Sequence, residues 1–349
     1  MMTVKMAGRK QESVVRFYDG VEQTFAAIKE QFEGDSVMLF TDETVFGLYE
    51  KQILKYFGET SKFVMCAGEA NKNEKTLFAL LQKMSDEKLL RNSVLICLGG
   101  GVVGDLGGLA ASLYMRGIRY VHMPTSLLAQ TDSCLGGKTA VDFCGVKNLL
   151  GAFYAPTDIY VTTDFFKTLP LRELRCGLGE IVKHGALCAD LFELLVKNQD
   201  RLTELDFLKE ILPMSLAWKA SVVEQDPYEK NLRKSLNLGH TTAHAIELHS
   251  ALSHGECVLM GILLESYFAR GDEEFLAKLR KLCLAALGKV PKIPIDALKA
   301  ALMDKKNVSE GTVSLTLATA LGKYEFLELP YGEYVAGIQK AEVLCSNLR

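Results

Sequence analysis

Three of the chain's six histidines fall close together. The run NLGHTTAHAIE puts His240 and His244 four residues apart, which on a helix is a single face. His254 follows in SHGE. An i, i+4 histidine pair with a third imidazole can supply nitrogen ligands to Zn²⁺ or a similar ion. Glu180, in GLGEIVKHG, is a carboxylate inside an otherwise apolar, glycine-punctuated segment and can complete the set. A catalytic metal site needs three protein ligands and keeps a position open for substrate. One of these four candidates therefore has another task. The HExxH sequence is absent, which disfavours a zinc protease. His249 reads as a hydrogen-bonded core histidine.

A second chemical signal is the run SVLICL followed by Gly99-Gly100-Gly101-Val102-Val103-Gly104-Asp105. It satisfies GxGxxG at Gly99, Gly101 and Gly104. Missing Cβ atoms let a pyrophosphate approach the backbone, and a helix N-terminus offers N–H groups and a favourable dipole. The strand before and the helix after fit that use. The motif falls in a later strand–helix unit rather than the first, and Asp105 directly after it is unusual for a dinucleotide fingerprint.

Several cations have sparsely charged neighbours. Lys138 lies in CLGGKTAVD, and Lys147 and Asn148 lie in GVKNLLGAF. Arg116 is expected to end the helix after the glycine turn, and Lys183 stands one turn from Glu180. Lys219 follows Trp218, and Arg233 and Asn237 lead into the histidine helix. Two groups of cations suit a substrate with two anionic ends, such as a phosphate and a carboxylate.

The elements that must hold these groups are legible from periodicity. SVVRF, VMLF, KFVMC, SVLICL, YVHMP and DIYVTT read as strands, with helical patterns such as VEQTFAAIKEQF, ETVFGLYEKQILKYF, EKTLFALLQKMSDEKL and GGLAASLYM between them. Such alternation predicts an α/β domain with a mainly parallel sheet, whose ligands bind at the carboxyl ends of the strands. After about residue 165 the pattern becomes mostly helical, through to PIDALKAALMDKK, with VSLTLATALGKYEFLEL adding a strand pair. The expected division is an α/β N-terminal dinucleotide-binding domain over 1–165 and a mostly α-helical C-terminal metal- and substrate-binding domain over 166–349.

Composition limits the alternatives. The 349 residues are 48% hydrophobic and 24% charged, with a net charge of −3. That length fits about two globular domains. No basic stripe points to nucleic acid, no apolar run is long enough for a membrane span, and the first residues lack the apolar stretch of a secretory signal. The nine cysteines are scattered, with no CxxC pair, and read as reduced core residues of a cytoplasmic protein rather than a disulfide framework or zinc knuckle.

Taken together, GEANK at 68–72, GGGVVGDLGG at 99–108, MRGIRYVHMPTSLLAQTDSCLGGKTAVD at 115–142, GVKNLLGAFYAP at 145–156, TLPLRELRCGLGEIVKHG at 168–185, RKSLNLGHTTAHAIE at 233–247, SHGECVLMG at 253–261 and MDKK at 303–306 resemble the 3-dehydroquinate synthases. The resemblance covers nearly the whole chain. It implies that Glu180, His240 and His254 bind Zn²⁺ or Co²⁺, which leaves His244 for the substrate. It implies that Asp42, Glu69, Lys72, the loop Gly100, Gly101, Val102, Val103, Gly104 and Asp105, Thr125, Ser126 and Thr168 bind NAD. Lys138 and Lys147 would line the cofactor and substrate site. Asn148 and His244 would meet the phosphate end, joined by Arg116 from its own or a neighbouring subunit. Lys219 and Arg233 would meet the carboxylate end, and Asp132, Lys183 and Asn237 the hydroxyls and metal.

The implied reaction turns 3-deoxy-D-arabino-heptulosonate 7-phosphate, a phosphorylated sugar acid, into 3-dehydroquinate and phosphate. It runs by transient oxidation with NAD, β-elimination of phosphate, re-reduction and intramolecular aldol closure, in a protein expected to be a homodimer. There are departures from the family pattern. Ser126 stands where a second Thr is common, Cys134-Leu135 replaces the usual Ser-Val, and the segment between His244 and His254 is slightly short. The rival readings are another sugar-phosphate cyclase, a metal-dependent alcohol or glycerol dehydrogenase, and a non-catalytic paralogue that binds NAD or metal.

Overall fold

The computed structural model describes residues 1–5, 12–230, 232–247, 249–293, 295–303 and 309–346. Its contacts divide the chain into two compact units, Met1–Pro170 and Leu171–Arg349.

The first unit is built on a seven-stranded sheet of β1 (Met2–Lys5), β2 (Glu12–Phe17), β3 (Val37–Asp42), β4 (Ser61–Met65), β5 (Val94–Gly99), β6 (Arg119–Pro124) and β9 (Asp158–Val161), in the order β1-β2-β9-β6-β5-β3-β4. In this sheet, among the described residues, only β1 and β2 pair antiparallel. The others run parallel, as the alternating pattern predicts. Every residue of β5 is buried, which explains its unbroken apolar text: a central parallel strand is covered on both faces. Among the described residues four α-helices accompany the sheet: α1 (Val21–Gln31), α2 (Glu43–Phe57), α3 (Glu74–Asp86) and α4 (Gly101–Leu113). Side chains start two of them. Asp42 accepts from the amides of Thr44 and Val45 at the head of α2, and Asn73 does the same for Lys75 and Thr76 at α3.

From β3 the chain goes outward to β4, then returns to the other side of β3 to form β5. That reversal makes the carboxyl ends of β3 and β5 the switch point where such sheets bind ligands. Asp42 ends one of these strands and Gly99 the other.

Two features depart from the sequence expectation. Helix α4 stops at Leu113, and Arg116 lies beyond it in a 3₁₀ turn, where Met115 and Arg116 have φ of 50° and 67°. The stretch after Gly137 forms an antiparallel hairpin, β7 (Lys138–Phe143) and β8 (Val146–Phe153), outside the main sheet.

The second unit is mostly helical: α5 (Leu171–Leu187), α6 (Ala189–Lys197), α7 (Leu205–Gln225), α8 (His240–Glu247), α9 (His254–Glu265), α10 (Glu273–Leu287) and α11 (Tyr331–Ser346). The expected strand pair is present as β10 (Thr312–Ala320) and β11 (Lys323–Pro330), antiparallel. PIDALKAALMDKK differs from expectation. Ile295–Met303 is a 3₁₀ segment, and the DKK of the MDKK match lies outside the described residues.

Helix α4 packs against the sheet through Gly104. A Cβ there would sit 2.3 Å from Cε1 of His122, a buried residue of β6. Gly104→Ala should therefore lower stability by about 1–3 kcal/mol through overpacking, read from urea midpoints. Gly47→Ala, whose added Cβ meets nothing within 4 Å in α2, should not. Equal midpoints for the two variants would contradict this packing account.

Candidate functional site

In the first unit the predicted dinucleotide residues gather at the carboxyl ends of the parallel strands. Asp42 ends β3, Glu69 and Lys72 follow β4, the glycine turn follows β5, Thr125 and Ser126 follow β6, and Thr168 closes the 3₁₀ turn after β9. Gly100 is the N-cap of α4, with no side chain capping it. The helix thus begins with backbone amides that no side chain caps, the feature that suits it to a phosphate. Thr125 donates its amide to the Gly99 carbonyl at 3.0 Å, which joins the β5 and β6 ends.

Lys72 organises this end of the unit. It is 5% exposed, and its Nζ donates to Asp105 Oδ2 and to Asn148 Oδ1, both at 2.6 Å. Its carbonyl accepts from Asp142 N at 2.8 Å, and Asp142 accepts from Asn148 N at 2.8 Å. The hairpin is thereby tied to the turn that carries Glu69. Asn148 has φ 53°, a left-handed conformation that Asn tolerates better than most residues. Burial pushes the Asp105 carboxyl up to about 6, against the lowering effect of Lys72 and with a further push from Glu69 and Asp132. Asp132 itself stands in a short π-helical turn, Ala129–Ser133, a rare geometry that recurs at functional sites. Lys138, Lys147 and Arg116 are exposed, so the sparse charge around the two lysines in sequence did not signal burial. Thr168 is also exposed, and its hydroxyl meets that of Tyr49 at 2.8 Å.

The second unit brings Glu180, His240 and His254 together. Glu180 lies in α5 and is 1% exposed. Its Oε1 is 3.6 Å from Nε2 of His240 and 3.6 Å from Nε2 of His254. Its Oε2 pairs with Lys183 one turn on. Donors bound at roughly 2.0–2.1 Å around a tetrahedral ion stand about 3.4 Å apart, so this spacing fits a divalent metal with little adjustment. The back of each imidazole is anchored as a ligand's should be. His240 Nδ1 meets the Leu238 carbonyl at 3.1 Å, and His254 Nδ1 meets Glu247 Oε2 at 3.2 Å. Burial opposes a charge on His254, but Glu180 and Glu247 overcome it and push its pKa up to about 10. The pocket strongly favours positive charge, as a cation site must.

Local sequence explains the placement. Ser253 and Glu256 form a capping box, so His254 is the first residue of α9. His240 is likewise the first residue of α8. His244, one turn later, is exposed, with its ring centroid 5.4 Å from that of His240. His249 is exposed too, which corrects the expectation of a core histidine; it lies just past the end of α8. Besides His240, His184 of this unit is buried, and its Nδ1 meets Ser215 Oγ at 2.7 Å.

Three predicted cations are buried here, Lys183 on α5, Lys219 on α7 and Arg233 in the 3₁₀ turn Leu232–Asn237, each 3% exposed. Arg233 Nη1 donates to the Pro227 carbonyl at 2.8 Å, and its amide donates to Asp226. Asn237 Nδ2 donates to Glu229 Oε1 at 2.9 Å. Glu247, Asp226 and Glu229 were not foreseen from sequence. For Glu247 a signal existed, since it lies one heptad after His240 and so on nearly the same helical face.

An α/β unit with a glycine turn at its switch point and a helical unit with a buried Glu/His/His cluster define the class: metal-dependent enzymes that work with a dinucleotide. Comparison with known proteins narrows it. Residues 62–176 match the 3-dehydroquinate synthase N-terminal family model and residues 177–307 the C-terminal one. The chain belongs to the 3-dehydroquinate synthase family. A 3-dehydroquinate synthase of Ruminiclostridium cellulolyticum is 37% identical over 83% of this chain and 85% of its own length. A 2-epi-valiolone synthase of Actinosynnema mirum is 35% identical over 86% and 84%. The structure of 2-epi-5-epi-valiolone synthase from Streptomyces hygroscopicus, with NAD⁺ and Zn²⁺ bound, matches with a TM-score of 0.84 at 25% identity, over 98% of this chain and 99% of that one.

Two measurements test this geometry. Folded Asp105 keeps its proton up to about 6, whereas the ordinary value is 3.8. The folded state therefore binds more protons across that interval, and the stability this confers at lower pH is lost as pH rises through 6. Asp105→Asn should flatten that part of the urea-midpoint curve; an unchanged slope would contradict the shift. Glu247→Ala should weaken Zn²⁺ binding about 10–100-fold, read by chelator competition, with Glu247→Gln losing less. Wild-type affinity in the alanine variant would remove Glu247 from the site.

Proposed function

We propose that the chain converts 3-deoxy-D-arabino-heptulosonate 7-phosphate to 3-dehydroquinate and phosphate. The observation that carries this reading is the buried Glu180 carboxylate, 3.6 Å from two imidazoles, in a chain matched by both halves of the family model. Glu180, His240 and His254 would hold Zn²⁺ or Co²⁺. The strand-end residues Asp42, Glu69, Lys72, Gly100–Asp105, Thr125, Ser126 and Thr168 would hold NAD, with Lys138 and Lys147 beside it. When bound, the metal would polarise a substrate hydroxyl and the dinucleotide would take up and return a hydride.

The chain's own residues would do the rest. Arg233 and Lys219 would hold the substrate carboxylate, a task suited to a buried guanidinium fork. His244 and Asn148, with Arg116, would hold the phosphate and offset the charge that builds as it leaves. Lys183, fixed by Glu180, would donate to a substrate hydroxyl, with Asn237 and Asp132 orienting the others. Such a protein is expected to work as a cytoplasmic homodimer; its cysteines form no disulfide, with Cys66 and Cys144 exposed rather than in the core as expected, and no helix among the described residues is long and apolar enough to cross a membrane.

The relative named as a 2-epi-valiolone synthase gives a second reading, in which the substrate is another sugar phosphate. The buried Arg233 and Lys219 favour a substrate with a carboxylate.

The test is phosphate release from the heptulosonate phosphate with catalytic NAD⁺ and added Zn²⁺ or Co²⁺, with absorbance at 340 nm followed together. Phosphate equal to substrate consumed, no net NADH, and loss of activity with chelator are expected. Net NADH accumulation with a polyol would turn the assignment to a dehydrogenase. Phosphate release only from a sugar phosphate lacking the carboxylate would favour the second reading. Arg233→Ala should chiefly raise KM, and an unchanged kcat/KM would remove it from the carboxylate end.

A further inference from the structure

The three residues of the cluster come from three helices, and each has a glycine as its neighbour in sequence: Gly179 before Glu180, Gly239 before His240, Gly255 after His254. These glycines are where the helix backbones touch. A Cβ on Gly255 would lie 1.7 Å from the Cys176 carbonyl oxygen of α5. A Cβ on Gly179 would lie 2.4 Å from the Gly255 carbonyl oxygen. At the other end of α9, a Cβ on Gly261 would lie 1.9 Å from the Gly239 carbonyl oxygen, and Gly239 itself has φ +73°. Real Cβ atoms do not approach backbone oxygens this closely, and backbone cannot rotate aside as a side chain can. Helix α9 therefore lies backbone to backbone against α5 near its start and against the head of α8 further on.

A second, independent observation fixes the α8 contact. Glu265, 1% exposed at the end of α9, accepts from the Thr242 amide at 2.8 Å, in the first turn of α8. The Thr242 hydroxyl meets that of Tyr334 at 2.9 Å, on α11. A carboxylate at a helix N-terminus is held by both hydrogen bond and dipole. The turn that begins with His240 is thus pinned to the helix that begins with His254.

We propose that Gly179, Gly239, Gly255 and Gly261 are positioning residues of the metal centre, with α9 as the common rail. They set the distances between Glu180, His240 and His254 before any ion arrives. The inference rests on the reading of this cluster as a metal site. A site held by supports this short loses affinity when its backbone shifts by a fraction of an ångström. Glycine is required at these places because any side chain would separate the helices that carry the donors.

The experiment compares Gly255→Ala and Gly179→Ala with Gly271→Ala. Gly271 makes a similarly close backbone approach in the same unit, outside α9: a Cβ there would lie 1.9 Å from the Thr319 carbonyl oxygen. Full-length chains are stripped of metal, and their thermal unfolding is recorded. Co²⁺ affinity by chelator competition and the visible absorption of the Co²⁺ form are then measured. The expected result is similar loss of apo stability in all three variants. Co²⁺ affinity should fall about tenfold or more, with a changed spectrum, only in Gly255→Ala and Gly179→Ala. Wild-type affinity and spectrum in those two would overturn the proposal. So would failure of both to fold while Gly271→Ala folds, since the glycines would then serve stability alone. His240→Ala separates the two ideas. If it binds Co²⁺ as wild type does, the metal-site reading itself fails. If it does not, while the glycine variants do, only the positioning role fails.

Discussion

A carboxylate almost wholly removed from water is costly unless positive charge surrounds it. Glu180 is such a group, and much of the helical unit is arranged around that constraint. Lys183 covers one oxygen from the next turn of α5. Two imidazoles face the other, each held from behind by an acceptor that fixes its ring. Because both imidazoles begin their helices, their positions depend on how those helices start and where they touch. The capping box at Ser253 settles one start. The Glu265 carboxylate and the Gly239–Gly261 contact settle the other. Chemistry and packing are one problem here: the donors cannot be placed without the close helix contacts, and those contacts admit only glycine.

The α/β unit meets a different requirement with similar economy. A phosphate-bearing ligand needs exposed amides and open space, and the reversal of strand order supplies both at the ends of β3 and β5. The glycine run divides its labour. Gly104 lets α4 lie against His122, whereas a Cβ on Gly100 or Gly101 would meet only a serine at ordinary or slightly tight distance. Lys72 then pairs with Asp105, half-buried in the second turn of α4, and draws the hairpin residue Asn148 to the same place.

Much of this was legible in the sequence for physical reasons. A buried parallel strand running into glycines has a distinctive text, and rare residues such as Glu180 and the clustered histidines stand out against apolar surroundings. Membership of the 3-dehydroquinate synthase family follows from the same stretches, matched across both halves of the family model. What stayed hidden is non-local. Glu247 looks like one more polar position of an amphipathic helix until His254 is folded back beside it. The β7–β8 hairpin was missed because nearly all of β8 is exposed, so it carries no in-out alternation. His249 was misjudged because residue type alone says nothing of burial once a helix has ended. The glycines of α5 and α9 read as breaks in a helix, and only the facing backbone shows why they are there.

The central claim is that Glu180, His240 and His254 make one metal centre. X-ray absorption at the zinc edge of the Zn²⁺-loaded chain tests it directly. Nitrogen and oxygen donors at about 2.0–2.1 Å, with the outer-shell scattering of two imidazoles and its reduction in His240→Ala, are the predicted result. A sulfur donor at about 2.3 Å would place the ion on the cysteines instead, and an imidazole pattern unchanged in His240→Ala would place it elsewhere; either would contradict the account.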